Sequence, residues 1–256
     1  MSAGVDTRAD LERSLGKREI APLYLFYGDE DFLIGEAAHR VVEAALDPGE
    51  RGFNLDTVRG AEEDAMNVAS LVVSYPMMGS RRVVVVHDIE KLSNLERLLP
   101  VAEQPVVSTC LVMTSAKPDF RTKFFRAVRE KGVVLEFKRL YESELPEWVG
   151  ARIRSLGKEP TAEACRLIPS YVGRSLREVQ NEVEKVVIYV GEKKSVDADD
   201  VNSVVGVSRQ FNIFELQKAV GLRDVPRSME ILERMLKSGE SPVGMIVMLT
   251  RYFQKL

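Results

Sequence analysis

Apolar side chains along this chain first gather in short runs and later settle into helical spacing. Five runs rich in branched and aromatic residues have the length and composition of β-strands: PLYLFY (22–27), FNLDTV (53–58), RVVVVH (82–87), TCLVMTS (109–115) and VVLEF (133–137). Between them lie stretches with helical periodicity, at residues 31–46, 61–74, 90–99 and 120–132. Strands alternating with helices, several of the strands apolar at nearly every position, predict a parallel sheet covered on both faces. The strand signal ends after Arg139.

From Glu142 to about Val207 the pattern is helical throughout. SELPEWVGARIRSL, TAEACRLIPSYVG and SLREVQNEVEKVVIYVG follow one another, and in the last of these Leu176, Val179, Val183 and Val186 recur at the spacing of one helix face. DADDVNSVVG begins a further short helix with acidic residues in its first turn. A third segment, from near Ser208, holds three more helical patterns, the last with Met245, Met248, Leu249, Phe253 and Leu256 on one stripe. That stripe predicts a helical segment whose covering helices are not part of this chain. The expected division is an α/β domain over 1–140, a small helical domain over 141–207 and an incomplete all-helical segment over 208–256.

One connection breaks the rule that turns are polar. SYPMMGSRR, between the second helix and the third strand, places Met77 and Met78 side by side between Pro76 and Gly79. Large flexible apolar side chains gain nothing from water, so either they tuck under the sheet or something outside the molecule receives them. Pro76 disfavours helical backbone at Tyr75, and Gly79 permits a tight exit, so the turn is suited to presenting side chains.

Composition narrows the function classes. With 36 basic and 39 acidic residues the net charge is -3, too small to mark a nucleic-acid surface, so contact with DNA would need a local patch. The basic stretch RTKFFRAVREK (121–131) is the one candidate, and as a helix it would bury Phe124, Phe125 and Val128 and solvate its charges. Cys110 and Cys165 stand far apart in apolar or helical surroundings, which argues against a disulfide framework or a zinc site. The first residues lack the apolar core of a signal peptide, and no run approaches the roughly 18 apolar residues of a membrane span. A cytoplasmic protein is expected.

The chemistry such a sheet usually carries is missing. A phosphate loop belongs in the first turn, YGDEDFLIGEA, which holds only Gly28 and Gly35 and lacks both the lysine and the Ser/Thr that hold phosphate and magnesium. RVVVVH runs into Asp88, Ile89 and Glu90, which resembles a Walker B tail whose acidic pair is split, so Asp88 is expected to turn the chain or cap a helix. Thr114 ends the fourth strand where a polar sensor would touch a nucleotide, but with no cradle it has nothing to sense. His39 and His87 have no nucleophile beside them in a recognisable elbow and are expected to be structural. No active site, metal site or cofactor is expected.

LYLFYGDEDFLI, PMMGSRRVVVV, GRSLREVQNEVEKVVIYVG, FNIFELQKAVG and LKSGESPVGMIVMLTRYFQKL, in this order, resemble the delta subunit family of the bacterial DNA polymerase III clamp loader. The resemblance implies an AAA+-like sheet domain and helical lid that have lost nucleotide binding, followed by a helical collar that joins the loader subunits. It implies a non-catalytic subunit that binds and opens the sliding clamp for loading onto primed DNA. It also implies a use for Met77 and Met78: the family carries two adjacent large apolar residues there that enter a pocket on the clamp, commonly of a Leu-Phe or Phe-Phe type where this chain has Met-Met. Pro76, Arg81 and Arg82 would border that contact, the arginines as rim charges. Two other classes remain open as alternatives, a nucleotide-driven ATPase of the same fold and a direct nucleic-acid binder using residues 121–131.

Overall fold

Five strands, β1 (Leu23–Gly28), β2 (Leu55–Arg59), β3 (Arg82–His87), β4 (Thr109–Ser115) and β5 (Val133–Phe137), form one sheet in the order β2-β3-β4-β1-β5, and every neighbouring pair is parallel. The computed structural model describes residues 7–206, 213–237 and 242–254, in two units, Met1–Arg139 and Leu140–Leu256. In the first unit the period-two alternation of the strands feeds two cores. Leu23, Leu25, Val84, Val86, Leu111 and Met113 pack on one face with Ala65, Val68 and Val72 of α4 (Ala65–Val73) and with Phe124, Phe125 and Val128 of α6 (Lys123–Lys131). The alternate residues Tyr24, Phe26, Val83, Val85, Cys110 and Val112 are equally buried and face the side on which α2 (Asp31–Ala45) lies against the sheet. This is an α/β architecture with a parallel sheet covered on both faces, and it explains why β3 and β4 read as unbroken apolar runs.

The elements follow the sequence pattern closely, with two departures that have local causes. FNLDTV divides: Asn54 ends a short helix, α3 (Arg51–Asn54), and its N–H bonds back to the Glu50 carbonyl at 3.0 Å, so β2 starts only at Leu55, where Val83 of β3 becomes its partner. The stretch 90–99 is not one helix. Ser93 bridges to Asp64 and Asn94 takes a left-handed φ of 55°, which leaves 3-10 turns at Ile89–Lys91 and Leu95–Leu98 ahead of α5 (Leu99–Glu103). A helix that the pattern does not reveal, α1 (Arg8–Gly16), is capped by Thr7 and buries Leu11 and Leu15.

In the second unit, α7 (Leu145–Ser155), α8 (Ala162–Val172), α9 (Leu176–Val190) and α10 (Ala198–Val201) enclose a core with Ile153, Ile168, Val179, Val183 and Val186 at its centre. Thr161, Ser175 and Asp197 each accept a backbone N–H at a helix start, Asp197 within a full capping box. Two-residue strands β6 (Glu159–Pro160) and β7 (Ser195–Val196) pair in parallel beside them. Farther on, α11 (Ile213–Gly221), α12 (Val225–Lys237) and α13 (Pro242–Phe253) share a separate small core of Leu216, Ala219, Ile231, Met235 and Met245. Here the expected open stripe is partly closed. Met245 is buried and Leu249 packs against the cluster, because residues four apart on α13 turn toward α11 and α12 together; the exposed side is Val243, Ile246, Val247 and Phe253. Ser208 and Leu256 lie outside the described residues.

A core of five buried side chains opens more readily than the doubly covered sheet. Amide exchange is therefore expected to be faster throughout α13 than in β3, and equal protection in a monomer, measured by hydrogen exchange with mass spectrometry, would contradict this.

Candidate protein-docking site

The site begins where α4 is made to stop. Asp64 caps the helix by accepting the Met66 N–H, and Val68 and Val72 bury one side of it. At its end Ser74 turns extended, its hydroxyl donating to the Ser70 carbonyl at 2.7 Å, and Pro76 keeps Tyr75 from helical backbone. The chain then crosses in front of α3. The Met77 N–H donates to Asn54 Oδ1 at 2.7 Å, and the Met77 carbonyl accepts from Asn54 Nδ2 at 2.8 Å. Asn54 itself is 0 % exposed.

Neither methionine goes under the sheet. Met77 is 56 % and Met78 92 % exposed, with Tyr75 exposed beside them and Pro76 half-buried. Met78 adopts a left-handed φ of 54°, which costs an L-residue on the order of 1–2 kcal/mol and persists only where the surroundings impose it. Gly79 lies close by: a Cβ there would lie 2.7 Å from Glu50 Oε1 and 3.1 Å from Asn54 Nδ2, so any other residue would have to push the end of the Glu50 side chain aside. Its role is close approach to α3.

Arg81 and Arg82 do not sit as rim charges. Arg81 Nη1 donates to the Ile20 carbonyl at 3.0 Å. Arg82, whose side chain is 11 % exposed, pairs with Asp56, donates to the Phe53 carbonyl at 3.3 Å, and gives its own N–H to the Ser108 carbonyl at 2.9 Å. Their chemistry ties the starts of β2, β3 and β4 together. Phe53, Val73, Tyr75 and Val107, all on connections leading into these three adjacent strands, are exposed as well, so the amino-terminal edge of the sheet carries several uncovered apolar side chains. Asn54 is the residue that the sequence reading misses. Its only signal is an amide set in an apolar run at a helix-to-strand junction, a residue type that bonds to nearby backbone.

The opposite edge, where a nucleotide would bind, is closed. Gly28 has a φ of 130° and a Cβ there would lie 2.3 Å from the Phe137 carbonyl, which also accepts the Glu30 N–H at 3.2 Å; the first turn is pinned to the end of β5 and forms no cradle. Asp29, Glu30 and Asp31 stand in a row at the head of α2, with Glu30 only 6 % exposed, so a phosphate arriving there would meet carboxylates. Thr114 Oγ1 accepts the Asp88 N–H at 3.3 Å and lies 3.4 Å from His87 Nδ1, locking β3 to β4. Asp88 turns the chain with a left-handed φ of 53°, caps no N–H with its side chain and pairs with Lys91 at 3.1 Å.

The remaining reactive groups are quiet. Burial pushes the Cys110 thiol up to about 12 and raises that of Cys165. His39 faces Glu43 at 3.3 Å on the helix surface. Among the described residues no three His, Cys, Asp or Glu side chains gather to hold a metal ion, and no helix is long and apolar enough to cross a membrane. On α6, Phe124, Phe125 and Val128 are buried and Lys123, Arg126, Arg129 and Lys131 are exposed.

Comparison with known proteins adds an independent line. Residues 24–138 match the profile of the family described as DNA polymerase III, delta subunit. The chain is 28 % identical to DNA polymerase III subunit delta of Bacillus subtilis (strain 168) over 96 % of its own length and 74 % of the relative's. It is 23 % identical to the probable DNA polymerase III subunit delta of Aquifex aeolicus (strain VF5) over 91 % of this chain and 69 % of that one. In three dimensions it matches the Bacillus subtilis DNA clamp loader delta protein with a TM-score of 0.75 and 25 % identity, covering 96 % of this chain and 76 % of that chain.

The placement of Arg82 gives a stability prediction. Arg82→Ala removes a charged hydrogen-bonding group from a nearly buried position and leaves Asp56 without its partner, so unfolding in urea is expected to require about 1.5–3 kcal/mol less. A rim charge would leave the midpoint unmoved.

Proposed function

We propose that the chain belongs with the DNA polymerase III delta subunits, and that it is a clamp-loader subunit of DNA replication that docks a sliding clamp through Met77 and Met78. The observation that carries the reading is the pair of adjacent methionines held out from the amino-terminal edge of the sheet, both exposed, one in left-handed backbone. Such a projection has no polar group to desolvate on entering an apolar pocket, and it gains the transfer energy of apolar side chains against the cost of fixing their rotamers. Methionine suits the task because an unbranched thioether adapts to an irregular pocket. In this reading the subunit opens one clamp interface by wedging, acts beside other loader subunits and on primed DNA within the assembled loader, and performs no nucleotide chemistry of its own. The closed turn at Gly28 and the acidic head of α2 support the last point.

Burying one methionine is worth roughly 1.5–3 kcal/mol, so losing both weakens binding by about a hundredfold to ten-thousandfold. Met77→Asp combined with Met78→Asp is expected to abolish clamp binding in surface plasmon resonance while circular dichroism stays that of the wild type. Met→Leu or Met→Phe at either position keeps or tightens binding. A folded double variant with undiminished affinity would refute the docking role.

Calorimetric titration of the chain alone with ATP and magnesium is expected to give no binding heat, and Asp88→Ala to leave clamp affinity unaltered. Saturable ATP binding that Asp88→Ala removes would favour the ATPase alternative instead.

A further inference from the structure

We infer that Asn54 is the positioning residue that holds Met77 and Met78 in their presenting conformation, an inference that rests on the docking role proposed above. The Asn54 carboxamide meets both backbone groups of Met77, accepting its N–H at 2.7 Å and donating to its carbonyl at 2.8 Å. The orientation of the amide is fixed by this pairing, since a backbone N–H only donates and a carbonyl only accepts. One side chain therefore does for Met77 what a neighbouring strand does for a residue in a sheet. Asn54 is itself fully buried, and losing the carboxamide would leave the Met77 N–H and carbonyl without this protein partner.

The loop is held from both sides. Asn54 grips Met77, Gly79 lies against Glu50 and Asn54, and between them Met78 is left in a backbone conformation that a free loop would abandon. The grip is itself anchored, because Phe53, next to Asn54, gives its carbonyl to Arg82 at the start of β3. Asn54 never reaches solvent and so makes no contact with an arriving partner. Its influence passes entirely through the fraction of molecules whose methionines already point outward.

This distinguishes Asn54 from the residues that touch the partner. Loosening a presenting loop reduces the binding-competent population and lowers the association rate, whereas removing contact atoms speeds dissociation. Asn54→Ala removes both bonds. Asn54→Asp keeps the size and the acceptor but sets a carboxylate against the Met77 carbonyl, and it carries the comparison should Asn54→Ala unfold.

The test measures amide exchange of residues 74–81 in the free protein, the thermal midpoint, and the association and dissociation rates with the clamp. Both Asn54 variants are expected to speed exchange of the Met77 amide by about tenfold or more. They should lower the association rate by about tenfold and leave dissociation within about twofold. The Met77→Asp, Met78→Asp double variant should lose clamp binding while its Met77 amide stays as protected as in the wild type. Unchanged exchange in both Asn54 variants would overturn the inference. So would unchanged association of the Asn54 variants while the double methionine variant fails to bind, a result that leaves the docking role standing. A double methionine variant that binds normally would remove the docking role and this inference together.

Discussion

Burial of β3 and β4 on both faces is the constraint from which the rest of the first unit follows. Val83 to Val86 and Cys110 to Met113 have no exposed side on which to carry chemistry, and their backbone groups are taken up by parallel neighbours. Since all five strands run the same way, every strand begins at one edge of the sheet and ends at the other. The strands themselves can therefore present nothing to another molecule, which leaves the connections at these two edges, where loops commonly carry function, and the outer faces of the helices. The two edges have been treated oppositely.

At the carboxyl edge several groups that stand where a nucleotide could be received bond to the protein instead. The Phe137 carbonyl holds the first turn, Thr114 holds Asp88, and three consecutive acids cover the helix end that would otherwise attract phosphate. At the amino edge polar side chains also bond inward, but the result is the reverse. Asn54, Arg81 and Arg82 turn inward to hold loops and strand starts, and the apolar side chains of Tyr75, Met77 and Met78 are what remains outside. A surface loop that buries its amide and arginines while exposing its methionines inverts the ordinary arrangement. The carboxamide of Asn54 is paired within the molecule, while the methionines have no apolar surface over them.

Much of this was legible in the sequence because the strand signals are strong. RVVVVH, TCLVMTS and VVLEF form strands over the residues read from the pattern, and the exposure of Met77 and Met78 answers the question that a methionine pair in a turn poses. The illegible parts share a cause: each depends on a contact distant in sequence. Asn54 looks like a strand residue until the chain returns 23 positions later to bond with it. Arg82 looks like a surface charge until Asp56, 26 positions away, is brought beside it. The helix expected over 90–99 is broken by a bridge to Asp64, and α1 offers only Leu11 and Leu15 as a signal, too few to mark a face. Periodicity reports which side of an element is buried. It is silent about which polar group a turn will find.

The two edges of the sheet are also well separated in space. A strand the length of β3, six residues at roughly 3.3 Å each, sets the edges about 20 Å apart. Closing the turn at Gly28 shifts nothing at Met77, because the strands between them are locked by hydrogen bonds and by close packing on both faces. The docking loop likewise takes its shape from α3 and from the start of β3, neither of which touches the first turn's anchor on β5. The first turn and the methionine loop therefore rest on separate sets of contacts. On the docking role proposed above, the amino edge requires a rigid sheet behind it, since a methionine pair held by one buried amide keeps its place only if the strand starts to which it is tied do not yield. The buried, doubly covered β3 meets that requirement, and Arg82 at its first position carries the connection from sheet to loop.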